Sequence, residues 1–211
     1  MASDPITEAK PLGPPVCPGD DVDGFVSRVV SFEPGPGAGF GQELFPEVVF
    51  GPPEGGGELA GSVDVLSLGS GGEIILEMSS TAIDCEGPDF VVFENAFATG
   101  SITYAELAEV SVSIDGRVWH TFECASASGW PFEGCAGVGV VNSEGPEGEI
   151  VDPRDPMRSG GDAFDLADVG IDRARFVRLR DLNIATGISA PPSKGFDLDA
   201  ISIVAGHAET R

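Results

Sequence analysis

Basic residues are scarce in this chain. Eleven Lys and Arg stand against 35 Asp and Glu, for a formal charge of −24. Such a surface cannot displace the counterions of a polyphosphate, which excludes most nucleic-acid binding and disfavours anionic membranes. Histidine is almost absent, with only His120 and His207, and neither GxSxG nor HExxH occurs. The chain is therefore expected not to be an enzyme. A glycosidase-like carboxylate pair stays open, but acids are so abundant that no pair is informative. Apolar runs stop at about six residues, too short for a membrane-spanning helix. There is no long 3.6-residue periodicity, no internal repeat and no CxxC. Gly35–Gly41 is glycine-rich, but no Lys-Ser/Thr follows it and no helix opens after it, so it reads as a turn. Gly19–Gly24 has Asp21, Asp23 and Gly24 in EF-hand order, yet Gly19 and Val30 occupy the first and twelfth positions, which rules that loop out.

The residues present describe an all-β protein. Hydrophobic content is 41%, too high for a disordered polyelectrolyte, and 211 residues suit one domain with a real core. With 30 glycines and 17 prolines, short apolar runs alternate with turns from Phe25 to Ala205. Strands are predicted at Val26–Phe32, Val48–Phe50, Val63–Leu68, Glu73–Met78, Phe90–Phe93, Val110–Ile114, Val118–Glu123, Val138–Val141, Arg175–Asp181 and Phe196–Val204. Asp115-Gly116 reads as a two-residue hairpin turn. Single helical turns are expected only at Tyr104–Glu109 and at Asp165–Val169, the latter capped by Asp165. That many short strands indicate a β-sandwich or jelly roll over residues 21–207. A Pro-rich leader, extended or disordered, is expected over 1–20, and a tail over 208–211.

The four cysteines form an even set whose spacings do not suit zinc. Cys124 and Cys135 enclose a Gly/Pro-containing tip suited to a disulfide, and Cys17 would need Cys85 to pin the leader. The start, Met1-Ala-Ser-Asp-Pro5, has neither a charged n-region nor an apolar h-region. Either the protein is cytosolic or this start has replaced a secretion signal. The cysteines favour a secreted or cell-surface location.

The stretch Gly87-Pro-Asp-Phe-Val-Val-Phe-Glu-Asn-Ala96 is the most informative. Its apolar centre, Phe90 to Phe93, predicts a strand buried on both faces, with Asp89 at one end. Glu94 and Asn95 stand where that strand leaves the core, and a carboxylate there needs a cation or a cluster of donors. Asp162 and Asp165 lie in the Gly160–Gly170 segment, read as a flexible loop. Asp197 and Asp199 are i and i+2 on the last strand and read as sharing a face. Brought to one rim, these residues offer the hard oxygens calcium takes, so calcium is the expected cofactor. Solvated carboxylates, strand-end caps and halophilic solubility are the plainer alternatives. Trp130 and Phe132, inside the Cys124–Cys135 loop, are candidates for a ligand platform, whereas Trp119 reads as core. Alternation puts Arg178 and Arg180 on one strand face and Val177 and Leu179 on the other. The arginines are expected to pair with acids, an anionic-sugar site being the alternative.

Five stretches carry a resemblance: Val29–Gly35, Ser67–Leu76, Gly87–Phe97, Gly160–Gly170 and Gly195–Val204. On these the chain resembles a family of bacterial secreted cell surface proteins. More distantly, Val112–Trp119 and Ala174–Leu179 look like the discoidin and galactose-binding-like jelly rolls, from which the acidic insertion Asn142–Arg158 departs. The resemblance implies a structural calcium and binding of glycans or other partners through loops at one end. The expectation is a secreted, calcium-stabilised β-sandwich that binds a glycan or a surface protein. The alternatives are a structural or adhesive envelope component, or a surface capture protein for a small molecule.

Overall fold

The computed structural model describes residues 17, 24–57, 62–99, 102–186 and 194–207. The expected leader, except Cys17, and the tail at 208–211 lie outside them. The protein is an all-β sandwich of two antiparallel sheets. Among the described residues eleven strands follow in order: β1 Val26–Glu33, β2 Leu66–Ser67, β3 Glu73–Ile83, β4 Phe90–Glu94, β5 Phe97–Thr99, β6 Ile102–Ser113, β7 His120–Thr121, β8 Asp162–Phe164, β9 Arg173–Thr186, β10 Asp197–Ile203 and β11 Gly206–His207. One sheet runs β1-β3-β9-β6-β5, with β11 on β3 and β7 on β6. The other runs β2-β10-β4-β8.

Alternation in the long strands builds the core between the sheets. Leu76 of β3, Val110 and Val112 of β6, and Val177 and Leu179 of β9 meet Phe90 and Val92 of β4 and Ile201 and Ile203 of β10. The intervening residues of β9 face outward, where Arg175 pairs with Glu77 at 3.5 Å and Arg180 with Glu109 at 3.0 Å. β4 is buried on both faces, as its apolar run predicts. Val91 and Phe93 form a second cluster with Ala200 and Val141, the last brought in by a covering loop. A parallel sheet is not needed for such a strand; a loop over an antiparallel one is enough.

Several local expectations need correction. Tyr104–Glu109 is not helical but lies within β6, where partners on both sides supply its hydrogen bonds. Val48–Phe50 is not a strand: Glu47–Val49 is a 3-10 turn burying Val48 and Val49. Only Leu66–Ser67 of Val63–Leu68 pairs, and Val138–Val141 contributes an isolated bridge from Val141 to Gly160. The β6–β7 turn is longer than two residues, because Val112 pairs with His120 and Asp115 Oδ1 accepts the N–H groups of Arg117 and Val118. Trp119 is half-buried rather than core, with the Arg178 guanidinium 4.8 Å from its ring centroid. Asp165 does cap the 3-10 turn Leu166–Val169, accepting from Ala167 N–H, and left-handed Gly170 ends it.

Both expected disulfides form, Cys17–Cys85 and Cys124–Cys135, with sequence separations of 68 and 11. In the chain-entropy account, loops of these lengths contribute roughly 4 and roughly 3 kcal/mol by restricting the unfolded chain. Replacing Cys124 and Cys135 together by Ala is therefore expected to lower the unfolding free energy by roughly 3 kcal/mol in urea. The Cys17/Cys85 pair should cost more; the reverse order would overturn this account.

Candidate metal centre

Buried carboxylates in this fold mostly bind backbone. Asp162 of β8 accepts three N–H groups from one loop: Gly137 and Val138 reach Oδ2 at 2.7 and 3.0 Å, and Gly139 reaches Oδ1 at 3.1 Å. Gly137 is required there, since its φ is +105° and a Cβ would lie 2.0 Å from the Glu106 carbonyl oxygen. Asp181 of β9 accepts from Gly71 at 2.7 Å, and from Asn183 and Phe196 at 2.9 Å. Asp199 of β10 takes the Glu54 N–H at 3.0 Å and that of Gly55. Asp89 takes those of Cys85 at 2.9 Å and Leu166 at 2.8 Å. Each ion is thus solvated by amide dipoles in place of water.

At the end of the sandwich where β4 leaves the core, the pattern fails. Glu94 is 3% exposed and Asp197 is 7% exposed. Glu94 Oε2, Asn95 Oδ1 and Asp197 Oδ1 are buried with no hydrogen-bond partner. Their other polar contacts hold them together: Glu94 accepts the Asp197 N–H, and Asp197 is hydrogen-bonded by Ser67 and by the Asn95 amide. The Asn95 N–H also donates to the Asp197 carbonyl at 3.2 Å. Two carboxylates and an amide oxygen therefore share a dry corner. Each unpartnered oxygen carries a desolvation penalty that a bound cation would remove.

The electrostatics agree. Burial, then the charges of Asp197, Glu106 and Asp162, holds the Glu94 carboxyl well above the usual range. Burial pushes Asp162 and Asp197 up to about 6. It pushes Glu106, which also feels Asp197, up to about 7. Asp199, at its separate position, is pushed up to about 7 by burial.

The six expected site residues thus divide. Glu94, Asn95 and Asp197 come together, and Asp162 is near enough to raise Glu94, but its oxygens are taken by the 137–139 loop. Asp162 also stands in β8 rather than in a flexible loop. Asp165 belongs elsewhere, with Asp84 and Asp89 in a group whose carboxylate oxygens lie within 4.8 Å of one another. Both Asp89 oxygens there already accept N–H groups, and Asp165 caps its turn. Asp197 and Asp199 do not act on one spot, because a bulge between Leu198 and Ala200 breaks the alternation. Glu106 and Asp181 are not legible as site residues in the sequence, because the pattern around Glu106 predicts a helical turn and Asp181 ends a predicted strand. Asp89 was visible at the end of the Phe90–Phe93 run but carried no role.

The expected ligand platform stands at the surface. Trp130 is 62% exposed, and its ring meets that of Phe132 edge-on at 6.4 Å between centroids. The disulfide and the hydrogen bond from Ala125 N–H to the Glu133 carbonyl, at 2.8 Å, close the loop beneath them. Phe132 has φ +57°, a conformation a bulky side chain adopts only when its surroundings impose it. A broader depression of about 640 Å³ near Asn142, Glu144 and Arg158 contains no aromatic ring. No protein-family model matches the chain, and neither does any curated protein.

A carboxyl whose pKa is higher folded than unfolded binds its proton more tightly in the fold. The stability it contributes is full below about pH 4, falls as pH rises through the folded values of about 6 to 7, and stays low above them. In EDTA at fixed ionic strength, the melting temperature is therefore expected to be higher at pH 5 than at pH 8. The drop should be smaller in Glu106→Gln. A profile that is flat, or rises with pH, would overturn this account.

Proposed function

We propose that this chain is an extracellular, non-enzymatic β-sandwich, stabilised by calcium, that binds a glycan or another surface partner through its exposed aromatic loop. The observation that carries the reading is the set of three buried, unpartnered oxygens on Glu94, Asn95 and Asp197. These residues would hold the ion. Carboxylate and amide oxygens with no nitrogen or sulfur donor suit a hard cation, and irregular backbone beside them can lend carbonyls. Two disulfides suit an oxidising compartment, and among the described residues no helix is long and apolar enough to cross a membrane. The resemblance to bacterial secreted cell surface proteins points the same way.

Calcium at about 100 times its Kd would add about 2.7 kcal/mol, or about 5 to 10 °C in melting temperature for a domain of this size. EDTA-treated protein at pH 7.5 and constant ionic strength is expected to show that rise with calcium and much less with magnesium. Glu94→Gln and Asp197→Asn should each remove it. Equal responses to the two ions would leave the acidity as a matter of solubility alone.

The partner reading rests on Trp130, whose exposure means that little folding energy depends on it. Trp130→Ala is expected to abolish retention on immobilised polysaccharide or whole cells while moving the melting temperature by less than about 2 °C. Unchanged retention would remove the loop from the binding surface.

A further inference from the structure

β1 is the outermost strand of the seven-stranded sheet, and among the described residues no strand pairs with its outer edge. An edge of eight residues leaves a row of backbone N–H and C=O groups open to pairing with another strand. Its two faces are distinct. Val29 and Phe32 stand opposite Leu76 and Ile74, both fully buried, and pack on the core. Arg28 and Glu33 stand opposite Glu77 and Glu73 on the outward face. Val30 is the extra residue of a bulge and is 43% exposed. Beside the edge, a depression of about 430 Å³ extends from Ser27–Phe32 to Phe45, Pro46 and Phe50, offering apolar surface that an added strand would cover.

We infer that β1 is a self-complementary edge, through which two copies of this chain join antiparallel about a two-fold axis into one continuous sheet. Charges and bulges usually guard an open edge against pairing. Here the two charges are each other's complement. The register that sets Arg28 opposite Glu33 of the second copy also sets Val29 opposite Phe32 and Val30 opposite Ser31. Both matches respect the faces: charge meets opposite charge outside, and apolar meets apolar toward the cores. The two-fold axis makes each match twice. A slip of one residue sets Arg28 opposite Phe32 or Pro34 and loses both. With 11 basic residues against 35 acidic ones, most self-pairings of this surface would set acid against acid. Arg28 is already placed for the contact: its Nε donates to Glu77 Oε2 at 2.7 Å, while its side chain stays 59% exposed. The formal charge of −24 on each copy opposes association. At about 0.15 M salt, however, exposed charges more than about 8 Å apart are largely screened.

The test is sedimentation equilibrium of the full chain, with amide hydrogen exchange at low and high protein concentration. Wild type should reach the mass of two chains by about 100 μM at about 0.15 M salt, and the amides of β1 should gain protection as concentration rises. Glu33→Lys sets two cations opposite each other, and Arg28→Glu sets two anions. Each alone should weaken dimerisation at least about tenfold. Mixed in equal amounts, the two variants should dimerise again, because both cross-strand pairs then have opposite signs. A wild type that stays monomeric at about 500 μM overturns the inference. So does a dimer that neither reversal weakens, or a mixture of the two variants that shows no recovery. Arg28→Glu also loses the Glu77 contact. Should it fail to fold, Glu33→Lys and the concentration-dependent protection of β1 decide: a dimer unaffected by the first, or formed without the second, uses another surface.

Discussion

A buried aspartate that accepts backbone N–H groups is the interaction on which this structure depends. Asp89, Asp162, Asp181 and Asp199 each gather two or more such donors, mostly from segments distant in sequence. In a sandwich with almost no helix, loops must find partners for their amides or stay in water. A carboxylate inside the rim supplies several acceptor sites at once. Hydrogen bonds to a charged group contribute about 1.5 to 3 kcal/mol each, roughly twice the neutral kind. This explains how a chain with a formal charge of −24 can place acids inside itself. The 137–139 loop, the Gly71 turn, the entry to β10 and the cover over β4 are all positioned in this way.

Against that rule Glu94, Asn95 and Asp197 are the exception, and the exception is what supports the proposed cation site. Their neighbours in charge are other carboxylates. Arginines are engaged on other acids, with Glu77, Glu109, Asp152 and Asp172 among their partners. Asp162 and Asp181 beside the cluster already have full shells of amide donors, so they add field without asking for a ligand. A small, hard, doubly charged ion would relieve the unpartnered oxygens and the repulsion together. A buried arginine could relieve only part of that, because its fixed fork cannot satisfy oxygens converging from several sides.

The acidic corner and the aromatic loop have different physical characters. One is dry and charged; the other is an exposed Trp130 beside a half-buried Phe132 on a covalently closed loop. Unpartnered buried charge is concentrated at the first and accessible apolar surface at the second.

Composition and alternation made the sandwich legible. The outward arginines and inward Val177 and Leu179 of β9, the two-faced burial of Phe90 to Phe93 and both disulfides follow from patterns within a few residues or from cysteine count. The predicted need for a partner at Glu94 also follows locally, since a carboxylate closing an apolar run has nowhere else to go. What could not be read was which acids meet. Spacing in sequence joined Asp162 with Asp165 and Asp197 with Asp199. In the fold, a short strand and a single bulge separate the members of each pair. Glu106 and Asp181 reach the corner only because β6 and β9 pair across the other sheet. Whether a buried carboxylate is already solvated is likewise a tertiary matter, because its amide donors come from remote loops. The sequence by itself determined that this would be an acidic, disulfide-bonded β-sandwich with a strained charge at the end of β4. Only the tertiary structure decided which oxygens were left without donors, because that depends on where distant backbone N–H groups come to rest.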